Sequence, residues 1–191
     1  MKKIRDMSLE ELAGLVCRSP EESGITATLT GGACVAIWSK GKYVSHDLDF
    51  IEEGPVPPRR VPQVLSRLGF RRQSRHFVHP DTEFFVEFPT GPLTVGDQRV
   101  ERASERRTPA GKLRLLSPTD CVKDRLAAFF HWNDRQSLEQ ALLVAQVQRI
   151  DLADIRRWSS AERAEEKFGV FEQRLKSLAA GKRKANKKRR L

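Results

Sequence analysis

The sequence predicts an α+β fold: a mixed β-sheet with flanking helices over residues 1–116, a helical region over 117–180 and a basic, disordered tail over 181–191. Three observations lead there. β-Branched and alternating segments are confined to the first part of the chain. Helically periodic apolar positions take over after Ser117-Pro118. The C-terminal end is dominated by lysine and arginine.

Ser8 followed by Glu11 has capping-box spacing, and Leu9, Leu12, Leu15 and Val16 recur at helical intervals. A first helix is expected over about 8–18, broken by Ser19-Pro20 and Gly24. Residues 25–30, rich in β-branched side chains, read as a strand. Gly31-Gly32 then opens a short buried helix, Ala33 to Trp38, which Gly41 ends. Leu48, Phe50 and Ile51 flank and alternate with Asp47 and Asp49 in a second strand. A proline-rich loop over 54–58 leads to a helix with Val61, Val64, Leu65 and Leu68 on one face, stopped by Gly69. Strands are expected from Phe70 to Val78 and from Glu83 to Phe88, with a β-rich or loop segment over 93–116. Pro118 suits a helix's first turn, and helices follow over about 118–131, 135–148, 151–159 and 161–180.

The totals describe a polar, charged chain with enough apolar residues for a core: 39% hydrophobic, 31% charged, mean hydropathy -0.53. No segment approaches the ~18 apolar residues that span a bilayer. The N-terminus lacks a secretory apolar region, so a cytoplasmic location without a membrane partner is expected. Cys17, Cys34 and Cys121 are odd in number and widely spaced, which argues for reduced, buried thiols and against a disulfide framework or zinc site. The net charge is +10, and Lys182 to Arg190 alone holds seven positive charges and no negative one, leaving +3 for the rest. Such a tail repels itself and can neutralise RNA or DNA phosphates.

The chemistry concentrates in Leu29-Thr30-Gly31-Gly32 and Ser45-His46-Asp47-Leu48-Asp49-Phe50. A strand delivering two glycines to a helix start lets backbone N–H groups approach a phosphate, where the helix dipole favours anions. Two aspartates two apart on a strand share one face. Unpaired, they repel each other and desolvate poorly; a divalent cation resolves the conflict. Two such ions could activate a hydroxyl and stabilise leaving pyrophosphate. A DxD alone is a weak signal, but the succession of strand, Gly-Gly, short helix and DxD strand is specific. The remaining residues point to structural roles. Asp124, Arg125 and Asp134 read as ion pairs bracing the helices, and Trp132 and Trp158 as core. His46, His76, His79 and His131 show no metal-ligand pattern.

This succession resembles the polymerase-β-like nucleotidyltransferases, and is most similar to the small prokaryotic branch that includes the AbiEii-type abortive-infection toxins. The resemblance spans about residues 25–160, and the fourteen residues between Gly32 and Asp47 are normal for that branch. It implies a nucleotidyltransferase-like sheet, Mg²⁺ (two ions) and an NTP substrate. Asp47 and Asp49 match the metal-binding carboxylates, Gly31 and Gly32 the phosphate-holding glycines, and Ser45 the hydroxyl residue before the acidic pair. Glu87 is the candidate third metal ligand or catalytic base, where relatives more often carry aspartate; Glu83 has the same parity and competes. Lys123 matches a helix lysine that reaches the nucleotide. The implied function is transfer of an NMP to a hydroxyl of an RNA, protein or small molecule, with a tRNA end as one acceptor and a cognate antitoxin as a partner if the role is toxin-like. The alternative is a non-catalytic protein of this fold that binds nucleic acid through its tail.

Overall fold

The computed structural model describes residues 2–54, 57 and 59–188, with side chains through 181. A short 3-10 turn, Ile4–Asp6, leads into α1 (Leu9–Glu21), whose capping box closes as expected: Ser8 Oγ accepts from Glu11 N–H, and Glu11 accepts from Ser8 N–H. The expected break at Ser19-Pro20 is overturned, because α1 runs through Pro20. Proline in the last turn forfeits only its own N–H. Its carbonyl collects the N–H groups of Ser23 (2.8 Å) and Ile25 (3.0 Å), and the chain turns at Gly24 (φ +76°).

β1 (Thr26–Leu29), α2 (Gly31–Trp38), β2 (Asp47–Glu53) and α3 (Arg60–Arg67) follow in the order expected. The segment from Phe70 to Val78 is not one strand. It folds into a tight hairpin, β3 (Arg71–Gln73) and β4 (His76–Val78), with Ser74 at φ +58° between them. β5 (Phe85–Glu87) comes next, then two further hairpins. These are β6 (Thr94–Val95) with β7 (Gln98–Arg99), and β8 (Ser104–Thr108) with β9 (Gly111–Leu115). Seven strands form one mixed sheet in the order β3-β4-β5-β2-β1-β9-β8. β2 runs antiparallel to β1 and parallel to β5, so the DxD strand is central.

Four helices complete the chain: α4 (Pro118–Trp132), α5 (Arg135–Ala145), α6 (Leu152–Ala161) and α7 (Glu165–Lys188). Side-chain oxygens of Ser117, Asp134 and Asp151 cap α4, α5 and α6, so Asp134 serves as a cap. The helical backbone continues to Lys188, into the segment expected to be a disordered tail; residues 189–191 and the side chains from 182 onward lie outside the described residues.

One hydrophobic cluster joins the two parts of the chain. α1 lies on β1 and β9, and α2 is wedged between β2 and helices α4 and α5. Leu48 and Phe50 are fully buried beneath the DxD strand, each contributing roughly 2 kcal/mol through burial. Trp38 Nε1–H donates to Leu116 O (2.9 Å), and Gln148 Nε2 donates to Trp38 O (2.6 Å). Trp158 is buried, but Trp132 is 77% exposed, which corrects its assignment to the core. It is the last residue of α4, just before left-handed Asn133, where the helix has run past its packed face. All three cysteines are free and buried. Burial pushes the Cys17 thiol up to about 12 and raises that of Cys34 as well.

Candidate active site

Strand alternation and register build the site. Leu48 and Phe50 take the core side of β2, leaving Asp47 and Asp49 on the other face. β5 lies beside it in parallel register, with Phe85 opposite Asp47 and Glu87 opposite Asp49. Val86 is buried while its neighbours turn outward, so Phe85 and Glu87 share the aspartates' face. Glu83, exposed before the strand begins, contacts His46 at 3.9 Å. Of the two glutamates, the register therefore places Glu87 beside Asp49.

The diglycine bend closes on the same carboxylate. Gly31 has φ +62°, and a Cβ built there would lie 2.3 Å from Asp49 Oδ2. Only glycine allows this approach. Gly32 abuts Ser45, whose Oγ would stand 2.9 Å from an added Cβ. Ser45 is buried and donates its hydroxyl proton to Asp47 O (3.1 Å), fixing the entry to β2. Thr30 precedes α2 but does not cap it; its hydroxyl and N–H both bond Asp49 O instead, at 3.3 and 2.8 Å. The first-turn amides of α2 thus have no side-chain acceptor from their N-cap, as an anion site requires.

Electrostatics single out Asp49. Burial, followed by the charges of Glu87 and Asp47, pushes its carboxyl from 3.8 up to about 6. Arg125 opposes this and Asp124 adds to it. Arg125 is itself held by Asp124 Oδ2 (2.6 and 3.0 Å) and Gln140 Oε1 (3.4 Å). It therefore acts on the carboxylates as well as bracing the helices. Lys123 is buried, with its ammonium 2.6 Å from Asp154 Oδ2, 3.3 Å from Gln98 Oε1 and 4.0 Å from Asp120 Oδ1. Residues two apart on a helix point about 200° apart, so Lys123 and Arg125 cannot face the same cleft. The Lys-Asp-Arg run was visible in the sequence; which member faced the sheet was not.

Glu87 has partners the sequence did not reveal. Its Oε1 contacts His76 Nδ1 on the adjacent strand and lies 3.7 Å from Arg75 Nε. Among the described residues, no three His, Cys, Asp or Glu side chains converge closely enough to enclose an ion. Asp47 and Asp49 nonetheless suit a hard divalent cation: their oxygens share a face, and the like-charge cost at Asp49 is one a cation removes.

No protein-family model matches the chain, and no curated protein sequence does. Among solved structures, the chain is similar to an antigenic nucleotidyltransferase-like protein from Paracoccidioides brasiliensis, at 15% identity over 70% of this chain and 75% of that one, with a TM-score of 0.49. It is also similar to the antibiotic-resistance factor ANT(2″)-Ia, at 13% identity over 92% of this chain and 96% of that one, with a TM-score of 0.45. At such identity and overlap these are distant likenesses of shape. What the chain itself presents is an α+β fold whose central strands bring Asp47, Asp49 and Glu87 to one face beneath a diglycine bend.

Proposed function

We propose that the chain is a Mg²⁺-dependent nucleotidyltransferase that moves a nucleoside monophosphate from an NTP to an acceptor hydroxyl. The observation that carries this reading is the juxtaposition of Gly31 with Asp49, and of Asp49 with Glu87 in register. Asp47 and Asp49, with Glu87 as third ligand, would hold the metal, which supplies charge neutralisation at the triphosphate and acidity at the attacking hydroxyl. The first-turn amides of α2, bared by Gly31 and Gly32, would donate to the phosphate oxygens. Ser45 positions both the bend and the strand. In the transfer, the acceptor oxygen bonds to the α-phosphorus, the bond from that phosphorus to the bridging oxygen breaks, and pyrophosphate leaves with the electron pair. Glu87 would take the hydroxyl proton, a role supported by its register position beside Asp49, with His76 against the same carboxylate. Lys123 would reach a triphosphate only by leaving Asp154, so we assign it to bracing α4 against α6.

The test is label transfer from each NTP with Mg²⁺ and total RNA or lysate. Transfer is expected, and Asp47→Ala with Asp49→Ala should abolish it. Transfer that survives the double change would refute the assignment. The engagement of Glu87 by His76 and Arg75 favours a second reading, a non-catalytic protein that binds nucleic acid. Its signature is RNA binding indifferent to that double change, with no transfer from any NTP. The AbiEii-type resemblance extends the enzyme reading to a toxin held by an antitoxin. Growth arrest on expression, lost in the same double variant, tests that extension.

A further inference from the structure

Between Glu53 and Asp81 the chain carries six arginines, no lysine and no acidic residue. All six, Arg59, Arg60, Arg67, Arg71, Arg72 and Arg75, are exposed. They lie on α3, on the turn before it and on the β3–β4 hairpin. Among the described residues, Arg75 is the one of these that forms an ion pair, with Glu87. Arg60 and Arg72 reach only the backbone carbonyls of Ser23 and Ser74. This edge of the sheet is therefore a strip of positive charge with little internal compensation.

The strip borders the carboxylate face: by alternation Arg71 lies on that side of β3, while Arg72, register partner of Phe77, lies on the other. β3 is the outer strand, β4 joins it to β5, and His76 of β4 is the register partner of Glu87. From β3 to β2 is three strand spacings, roughly 14 Å. On β5, one spacing from β2, stands Phe85, 40% exposed, opposite Asp47 in register and 5.8 Å from the His76 ring. A half-exposed phenylalanine among charged groups gains nothing from the core, and it presents a ring to whatever enters.

We propose that this surface seats a single-stranded nucleic acid, its phosphates along the α3 and β3–β4 arginines and a base stacked on Phe85 beside the carboxylates. Guanidinium groups bind phosphate through two parallel N–H donors, and an all-arginine strip suits that geometry better than point-charge lysines. An aromatic platform bordered by cations is how proteins hold unpaired strands. A membrane surface fits poorly, because Val61, Val64 and Leu65 of α3 face inward and its outer side offers only Arg60, Gln63, Ser66 and Arg67. The proposal rests on the nucleotidyltransferase reading for its consequence: a strand so placed brings a terminal hydroxyl to Asp47 and Asp49, making the acceptor a nucleic-acid end. It also locates binding on the folded body, separate from the basic C-terminal segment.

The experiment is fluorescence anisotropy of the full chain with a short, labelled single-stranded RNA, titrated with salt. Variants are R67Q/R71Q/R72Q, F85A and a chain with the basic residues of 182–190 changed to glutamine. The arginine variant should lower the slope of log K against log salt by about 2, from ~0.7 per phosphate contact on a single strand. F85A should weaken binding about tenfold, the loss of one stacked base. The tail variant should retain sensitivity to both. Binding that ignores R67Q/R71Q/R72Q, or vanishes with the tail alone, overturns the proposal. Equal affinity for phosphatidylserine vesicles also overturns it. Label transfer separates this from the enzyme reading. If R67Q/R71Q/R72Q loses transfer to RNA but still hydrolyses NTP to NMP and pyrophosphate, with water as the attacking oxygen, both readings stand. Arginine-dependent RNA binding without transfer from any NTP leaves the surface standing and sinks the enzyme. Transfer to RNA that is indifferent to the arginines does the reverse.

Discussion

Replacing Asp49 by asparagine should stabilise the metal-free protein at pH 8. In the fold, burial and the charges of Glu87 and Asp47 hold this carboxyl at about 6, against 3.8 without them. Between those values the folded chain binds more protons than the unfolded chain, so stability falls as pH rises through that window. The cost is complete above about pH 6 and absent below about pH 4. At about 1.4 kcal/mol per pH unit it amounts to roughly 3 kcal/mol, and relaxation of the site brings the expectation to roughly 1.5–3 kcal/mol. The asparagine side chain keeps the shape without the charge and should recover that amount at pH 8. For a chain of this length it corresponds to a rise in Tm of about 3–12 °C. The assay is thermal denaturation of both proteins in EDTA at pH 8 and at pH 4. A variant less stable than wild type at pH 8, or gaining equally at both pH values, would refute the electrostatic account. Mg²⁺ should raise the Tm of the wild type at pH 8 and leave the variant nearly unmoved.

Gly31→Ala should cost about 1–3 kcal/mol in urea denaturation, because φ +62° is strained for alanine and the new methyl would stand 2.3 Å from Asp49 Oδ2. NTP transfer should fall with it, while Gly24→Ala, with φ +76° and nothing within 4 Å of the added methyl, should cost only the backbone part. Asp154→Ala should destabilise by about 2–4 kcal/mol, since it leaves the buried Lys123 ammonium without its nearest partner. Lys123→Met should cost less, because Asp154, a third exposed, can rehydrate; the reverse order in chemical denaturation would refute this account of the pair. If Lys123 only braces, Lys123→Met should also leave the KM for NTP within about twofold, a span of about 0.4 kcal/mol.

Where the candidate site was legible, a local rule fixed geometry. Alternation put Asp47 and Asp49 on one face, and Gly31 announced a backbone position closed to other residues. The resemblance offered Glu87, parity left Glu83 in competition, and only the β2–β5 register put Glu87 beside Asp49; its contacts with His76 and Arg75 depend on how β4 folds back on β5, a pairing set by a turn at Ser74 that has no glycine to mark it. The single long strand read over Phe70 to Val78 missed the turn for the same reason. Lys123 and Arg125 show another limit: periodicity says they oppose each other, while only packing decides which meets the sheet. Trp132 continued the apolar period past the point where α4 has anything to pack against. Pro20 looked like a stop because helix rules penalise proline, yet in a final turn little is lost.

Beside the hydrophobic cluster, two carbonyl oxygens help to seat the helical layer. Leu116 O receives the indole of Trp38, and the carbonyl of Trp38 receives the amide of Gln148. Such acceptors are indifferent to side-chain identity at the residues that bear them. The outward surfaces of α4 to α7 could be rewritten extensively while this latch stayed in place, so what the scaffold presents outward can change without disturbing the strands that hold the carboxylates.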